Sequence, residues 1–163
     1  MTKKEKISLA LLCAALVLAT LFIFSNSLKS REESGADSSF ILSLVEPVFD
    51  AVFGEGHGIN VHFLVRKAGH LTEFFILGVI VLNLARFLQK RYAPRLFGYC
   101  LFYVLCVAVS DEFIQLYSGR GSAVSDVIID FCGALIGFGI TFVFCIIKNR
   151  RRKNENTRLE RKS

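Results

Sequence analysis

Ionisable side chains interrupt several long apolar stretches of this sequence. One stretch opens with Arg66, Lys67, His70 and Glu73, and in a helix His62, Arg66, His70 and Glu73 would share one face. A charged group at membrane depth costs on the order of 2.5–3.5 kcal/mol or more, so it normally faces a partner or a wet cavity. The pattern therefore predicts a polar site inside a membrane protein, with partners elsewhere in the chain.

The next two apolar stretches carry polar residues three or four positions apart, as on one helix face. These residues are Asp111, Glu112, Gln115, Asp126 and Asp130. We measure depth from the basic end of each span, at residues 88, 95 and 148, with about 1.5 Å per residue. Glu73, Glu112 and Asp130 then lie at similar depths of about 22, 25 and 27 Å. We therefore expect three helices to form one polar cluster toward one face of the membrane.

The expected cluster contains groups that bind metals and groups that bind phosphate. Its carboxylates outnumber its Arg and Lys side chains, and the excess could hold a divalent cation. The candidate metal ligands are His70, Glu73, Glu112 and Asp130. Arg66 and Arg120 could bind a lipid phosphate, and Glu73 and Glu112 are the candidates for acid–base catalysis.

The last apolar stretch combines acidic residues with a packing motif. Asp126, Asp130, Gly133 and Gly137 share one helical face, and Gly-x-x-x-Gly allows another helix to approach closely. We expect this face to be buried, which directs both carboxylates into the bundle.

The apolar residues lie in long blocks that are typical of membrane-spanning helices. Of 163 residues, 53% are hydrophobic, and the blocks predict spans at about 7–24, 61–88, 96–116 and 127–147. The predicted fold is an all-α polytopic membrane protein with four transmembrane helices. A cleaved signal peptide is the alternative for the first span, but its apolar run exceeds the usual ~7–15 residues.

A fifth helix is predicted between the first two spans. Residues 25–39 are polar and serine-rich, which indicates a loop, while residues 40–53 have the apolar periodicity of an amphipathic helix at the membrane interface. Asp37 or Ser38 could cap this helix, and Pro47 should disturb it. The alternative is a packed loop segment. The glycines that follow residue 53 should end the helix.

Charge distribution predicts the orientation. The net charge is +6, and the basic tail at 148–163 carries the whole excess, so it favours an anchor near anionic lipid rather than nucleic-acid binding. The amino terminus, the 89–95 loop and the tail are the basic segments, which places both termini in the cytoplasm. Segments 25–60 and 117–125 are then outside, which places the expected polar cluster in the outer leaflet. The five cysteines form no C-x-x-C motif, and we expect neither disulfides nor metal thiolates.

Taken together, the polar motifs resemble those of the VanZ-like family of bacterial membrane proteins. The motifs are Arg66-Lys67-x-x-His70-x-x-Glu73-Phe74, Asp111-Glu112-x-x-Gln115, Arg120, Asp126 and the Gly133/Gly137 face. The resemblance covers about residues 7–147 and implies a four-helix protein of the bacterial plasma membrane. The founding member of that family is associated with low-level resistance to teicoplanin, and the resemblance implies no known reaction.

Three functions are compatible with these features. The first is binding of a lipid-linked polar head, from a cell-wall precursor or a lipoglycopeptide such as teicoplanin, with a contribution to glycopeptide resistance or envelope homeostasis. The second is a membrane enzyme or translocator that acts on a phosphate-bearing lipid, with a possible divalent cation. The third is structural, in which the cluster only ties three helices together. Motifs of soluble hydrolases, P-loop proteins and dinucleotide-binding domains are absent from the sequence.

Overall fold

Four long apolar helices and one amphipathic helix make up the described chain. The computed structural model describes residues 1–54, 58, 60–92, 96–121 and 123–160. Within these ranges no strand occurs, and the helices are α1 (Lys3–Ser27), α2 (Arg31–Phe53), α3 (Val61–Tyr92), α4 (Phe97–Tyr117) and α5 (Val124–Glu160). Helices α1, α3, α4 and α5 are long and apolar enough to cross a membrane. The protein is therefore an all-α polytopic membrane protein, as the sequence predicts.

Helix α3 lies at the centre of the bundle. It contacts all four other helices and forms its largest interface with α5. Phe74, Leu77 and Val104 are fully buried in the core between the spans, whereas Leu18 and Phe102 on the outer surface are about two-thirds exposed, at 66% and 67%. Large apolar side chains on the outside are expected where the surrounding solvent is lipid.

Glycines bring α3 and α5 into close contact. A Cβ atom on Gly133 would lie 2.5 Å from the Leu71 carbonyl oxygen, and one on Gly137 would overlap the backbone of α3 in the same way. Gly78 on α3 meets the backbone of Ala134 on α5 reciprocally. The small-residue face that the sequence predicts to be buried is thus the contact surface between these two helices.

The polar segment 25–39 is mostly helical, so the predicted loop is wrong. Helix α1 continues through Ser27, and α2 begins only four residues later. Ser30 caps α2: its side chain accepts a hydrogen bond from the Glu33 amide, and the Glu33 side chain accepts one from the Ser30 amide. This capping box supplies two partners for amides that the first helical turn cannot satisfy.

Helix α2 is also longer than the predicted helix at 40–53. The predicted cap at Asp37 or Ser38 is wrong, because the helix already runs through both positions. It continues past Pro47, which removes one backbone donor but does not end the helix. Its end at Gly54, which has a φ of 84°, agrees with the sequence. The glycine-rich segment beyond, at 55–57, lies outside the described residues.

The last span and most of the basic tail form one continuous helix. Helix α5 begins at Val124, three residues before the predicted span, and extends to Glu160. Helix α3 likewise extends to Tyr92, into the predicted 89–95 loop, whose remaining residues lie outside the described chain. With four spans, both ends of the chain and the α3–α4 connection lie on one side of the membrane. Helix α2 and the α4–α5 turn lie on the other.

Candidate functional site

The predicted site residues come together at the end of the bundle that carries α2. We call them the polar cluster: Arg66, Lys67, His70, Glu73, Asp111, Glu112, Gln115, Arg120, Asp126 and Asp130. Most of them are buried although they are charged or polar. His62, which shares their helical face in projection, is exposed near the start of α3. The cluster therefore begins one turn further along that helix.

Asp111 connects three helices within the cluster. It is 1% exposed. Ser27 at the end of α1 donates to its Oδ1, and Gln115, one turn further along α4, donates to its Oδ2 at 2.8 Å. His70 Nδ1 of α3 lies 3.7 Å from the same Oδ2 atom. A carboxylate with these partners stabilises the relative positions of α1, α3 and α4.

Asp126 forms a buried ion pair with Lys67. Lys67 Nζ donates to Asp126 Oδ1, and Ser125 Oγ lies 3.2 Å from the same oxygen. The ammonium group of Lys67 also lies 5.1 Å from the centre of the Phe63 ring. Asp126 is in the first turn of α5, where the helix dipole favours a negative charge. This pair joins α3 to α5 and leaves neither charge alone.

Asp130 is the opposite case, because it is buried and lacks hydrogen-bond partners. It is 0% exposed, and no donor reaches either of its carboxylate oxygens. His70 Nδ1 lies 3.2 Å from Oδ1, but without the geometry of a hydrogen bond. Glu112 accepts a bond from the Ala123 amide at 3.0 Å through one oxygen, while its other oxygen is unpartnered.

In the described part of the chain, all buried side-chain nitrogen and oxygen atoms without a partner belong to the polar cluster. They lie on Arg66, His70, Glu112, Gln115 and Asp130. An unsatisfied buried polar group costs about 1–3 kcal/mol, and more when it is charged. Their concentration in one place makes the polar cluster the candidate functional site of the described chain.

Four of these side chains could hold a metal ion. His70, Asp111, Glu112 and Asp130 each offer one ligand atom, and these atoms all lie within 4.8 Å of one another. The sequence suggested Glu73 where this group has Asp111. Three of the four candidate ligands from the sequence thus belong to the group, and Glu73 lies outside it.

The end of α1 contributes residues that the sequence analysis missed. Asn26 Nδ2 donates to Glu73 Oε1 at 2.7 Å, and the Asn26 carbonyl oxygen accepts a bond from Arg120 Nη1 at 3.0 Å. The Ser27 carbonyl oxygen accepts one from Ser118 Oγ at 2.9 Å. The signal in the sequence is three consecutive polar residues, 25–27, at the end of the first span, which the polar composition assigns to a loop.

Arg120 lies in the α4–α5 turn and is buried. Gly119 precedes it with a φ of 72°, a conformation that favours glycine, and the Arg120 amide donates to the Gln115 carbonyl oxygen at 3.1 Å. Burial, and then the nearby Arg66 guanidinium, lower the pKa of Arg120. Guanidinium groups stay protonated in proteins, so two like charges lie close together here. Such a pair favours the binding of an anion.

A partly open pocket of about 310 Å³ lies beside the cluster. Its charged lining consists of Lys29, Arg66, Arg120 and Glu73, together with the imidazole of His70. Helix α2 forms the opposite wall. Three cationic side chains and one carboxylate give the lining a positive formal charge, and we call it the cationic pocket.

Two apolar grooves of about 560 and 590 Å³ adjoin the cationic pocket. The first runs between α2 and α3 and shares several wall residues with the pocket. The shared residues are Phe22, Ile41, Val65, Gly69 and Glu73. The second groove shares Phe22 and Glu73 with it. A polar compartment is therefore continuous with two apolar ones, and Glu73 borders all three.

This fold and site define a helical membrane protein with a polar site buried inside a four-span bundle. The family model described as VanZ/LLP1 matches residues 9–146. The match covers most of the chain, so the protein belongs to the VanZ/LLP1 family, in agreement with the resemblance of its motifs. Comparison with curated proteins and with solved structures gives no match.

Proposed function

We propose that the protein binds the polar head of a lipid-linked molecule in the cationic pocket, with the lipid chain in an adjoining apolar groove. The ligand would be a lipid-linked cell-wall precursor or a lipoglycopeptide such as teicoplanin. Binding would contribute to glycopeptide resistance or envelope homeostasis. The observation that carries the proposal is the shared wall between the cationic pocket and the apolar groove along α2 and α3.

The chemistry of the two compartments supports an amphipathic anion as the ligand. Arg66 and Arg120 present guanidinium groups, which bind phosphate or carboxylate through paired hydrogen bonds. The volumes of about 310 and 560 Å³ each lie within the ~300–1,000 Å³ typical of ligand pockets. A lipid chain in the groove would add roughly 0.8 kcal/mol for each buried methylene group.

We further propose that the pocket opens to the outer leaflet of the bacterial plasma membrane. Both termini would be cytoplasmic because they are basic, and α2 would lie along the outer interface with its exposed apolar residues in lipid. Ser34→Cys, on the α2 wall of the pocket, tests this orientation. A membrane-impermeant maleimide should label that variant in intact cells more than the unsubstituted chain. Labelling only after the cells are permeabilised would contradict the orientation.

The functional test is teicoplanin and vancomycin susceptibility of a sensitive Gram-positive host. We expect the wild-type chain to protect against teicoplanin more than against vancomycin, because teicoplanin carries the lipid chain. Arg66→Gln should abolish protection. Arg86→Gln is the matched control, since Arg86 lies on the same helix and does not line the pocket. Equal protection by both variants, at equal membrane levels, would contradict the proposal.

A binding assay tests the same site without a host. The purified protein is titrated with a polyprenyl phosphate and with the corresponding polyprenol in detergent. Loss of one charge-assisted contact costs about 1.5–3 kcal/mol, so Arg66→Gln should weaken phosphate binding by about 10- to 150-fold. Arg86→Gln should bind as the wild type does. Equal affinity for phosphate and alcohol would show that the cationic pocket does not select the head.

The second candidate is a membrane enzyme or translocator that acts on a phosphate-bearing lipid. The observation in its favour is that His70 lines the cationic pocket and also lies 3.2 Å from a carboxylate oxygen of Asp130. Glu73 or Glu112 would then act as acid or base. Proteoliposomes that contain a polyprenyl phosphate or diphosphate should show hydrolysis or transbilayer transfer, which Glu112→Gln abolishes. Absence of both activities in the wild type would remove this candidate.

A further inference from the structure

We propose that His70, Asp111, Glu112 and Asp130 form a buried binding site for one divalent first-row transition-metal ion, of the Mn²⁺ or Zn²⁺ type. This inference goes beyond lipid binding and does not depend on it. It rests on the geometry and burial of the four side chains and on the unpartnered atoms of three of them, His70, Glu112 and Asp130. Both oxygens of Asp111 already accept hydrogen bonds, from Ser27 and Gln115.

The four ligand atoms lie close enough together to share one ion. All of them lie within 4.8 Å of one another. Metal–ligand distances of about 2.0–2.2 Å place the ligands of a tetrahedral site about 3.4 Å apart, and opposite ligands of an octahedral site about 4.2 Å apart. Closure of the group around an ion therefore needs movements of less than about 1 Å, which carboxylate side chains can make by rotation. Because the ligands come from α3, α4 and α5, an ion would join the three helices directly.

Three of the four proposed ligands carry unpartnered atoms. Asp130 is 0% exposed and has no donor on either oxygen, and Glu112 is 3% exposed with one oxygen free. His70 Nδ1, on a side chain 9% exposed, faces Asp130 and Asp111 without a hydrogen bond. Metal coordination would use these lone pairs, which the surrounding protein leaves unused.

The charge balance of the group also favours a cation. Three carboxylates lie together, and their negative charges repel one another. Lys67 is bound to Asp126 and does not neutralise this group. Arg120 donates to the Asn26 carbonyl oxygen and also lies within electrostatic range of Asp111 and Glu112, so it offsets part of their negative charge. A divalent ion would supply the opposite charge at the centre of the group.

The donor set selects the kind of metal. Ca²⁺ prefers six to eight oxygen ligands, and Mg²⁺ retains several waters in a near-ideal octahedron. One imidazole with three carboxylates instead suits Mn²⁺, Fe²⁺ or Zn²⁺, and the absence of thiolate from the group disfavours Cu⁺. All four side chains are buried and His70 also lines the cationic pocket, so the ion would be held structurally or would act through His70 on that pocket.

The test is a titration of the full-length protein in detergent after chelator treatment and desalting. Free Mn²⁺ is followed by electron paramagnetic resonance, and Zn²⁺ is added as a competitor. We expect about one Mn²⁺ ion to bind for each protein chain, and Zn²⁺ to displace it. Asp130→Asn, which keeps the size of the side chain, should weaken binding about 100-fold or more, since even supporting groups around a metal are worth 10- to 100-fold.

Glu73→Gln is the matched control, because this carboxylate belongs to the polar cluster but lies outside the group. It should bind Mn²⁺ as tightly as the wild type. Failure of the wild type to bind either metal would overturn the proposal and leave a carboxylate cluster that shares protons. Retention of wild-type affinity by Asp130→Asn would also overturn it.

A measurement on the wild type covers the case in which Asp130→Asn does not fold. Spin-echo spectroscopy of bound Mn²⁺ should detect coupling to one imidazole nitrogen, which only His70 can provide in this group. Bound Mn²⁺ without nitrogen coupling would refute the site. Loss of metal with retained binding of polyprenyl phosphate would separate this site from the proposed lipid site.

Discussion

One added methyl group at Gly133 tests the helix contact that positions His70 against Asp130. Gly133 lies on α5 three residues after Asp130, and a Cβ atom there meets Leu71, the neighbour of His70 on α3. The distances would be 2.5 Å to the Leu71 carbonyl oxygen and 3.2 Å to its carbonyl carbon and Cα. All three are backbone atoms, so α3 and α5 must move apart to accept the methyl group.

The size of the effect can be separated from helix propensity by a control on the same helix. A Cβ atom on Gly139 meets nothing within 4 Å. Replacing either glycine by alanine changes helix propensity by the same amount, about 0.8–1.0 kcal/mol in water, and this contribution cancels in the difference. Extra volume in a packed contact costs about 1–3 kcal/mol. Because backbone atoms cannot rotate away, we expect the free energies of unfolding of Gly133→Ala and Gly139→Ala to differ by about 2–3 kcal/mol, near the upper end of this range.

The assay is unfolding in mixed micelles titrated with a denaturing detergent and followed by circular dichroism. Gly133→Ala should be less stable than Gly139→Ala by about 30- to 150-fold in the folding equilibrium, since 1.4 kcal/mol is a factor of ten. Gly139→Ala itself should be neutral or more stable than the wild type. A difference below about 0.5 kcal/mol would refute close packing of α5 on Leu71, and with it the placement of Asp130 beside His70.

Two further pairs of variants test the hydrogen bonds of the polar cluster in the same titration. Lys67→Met should lower the free energy of unfolding by about 3 kcal/mol, because it leaves the buried Asp126 carboxylate without a counter-charge. Asp126→Asn should lower it by less, because the Lys67 side chain is 14% exposed and can reach water. Equal losses would contradict this asymmetry. Ser27→Ala should lower the free energy of unfolding by about 1–3 kcal/mol, because it removes the buried hydrogen bond to Asp111. Ser25→Ala, at an exposed position, should change it by less than about 0.5 kcal/mol. Equal losses for the two variants would contradict a stabilising Ser27–Asp111 bond.

The spans and the small-residue face could be predicted because both are written in local sequence patterns. Length and hydropathy indicate a membrane-crossing helix, and the four-residue spacing of Gly133 and Gly137 indicates a close helix contact. The start of α2 was missed for a local reason. The apolar periodicity begins only at Phe40, whereas the helix begins with the capping box of Ser30 and Glu33, a polar signal.

The internal arrangement of the polar cluster could not be predicted from periodicity. His70 and Glu73 are about 60° apart around α3, which is enough for them to face different neighbours. His70 faces Asp130 and Asp111, while Glu73 accepts a hydrogen bond from Asn26 and borders the cationic pocket. Helical spacing places both on one face, but only the positions of α1, α4 and α5 decide which carboxylates meet the imidazole.

Some groups of the polar cluster have hydrogen-bond partners and others have none, which argues against the hypothesis that the cluster only ties the helices together. If the cluster only tied helices together, its groups should be paired, as Lys67 and Asp126 are. Asp130 instead keeps two unpartnered oxygens at full burial, beside unpartnered atoms of His70 and Glu112. Such atoms reduce the stability of the folded protein, and an apolar residue would hold the helices together at lower cost. The unpartnered atoms therefore favour a ligand-binding role over a purely structural one, while paired groups such as Lys67 and Asp126 hold the helices together.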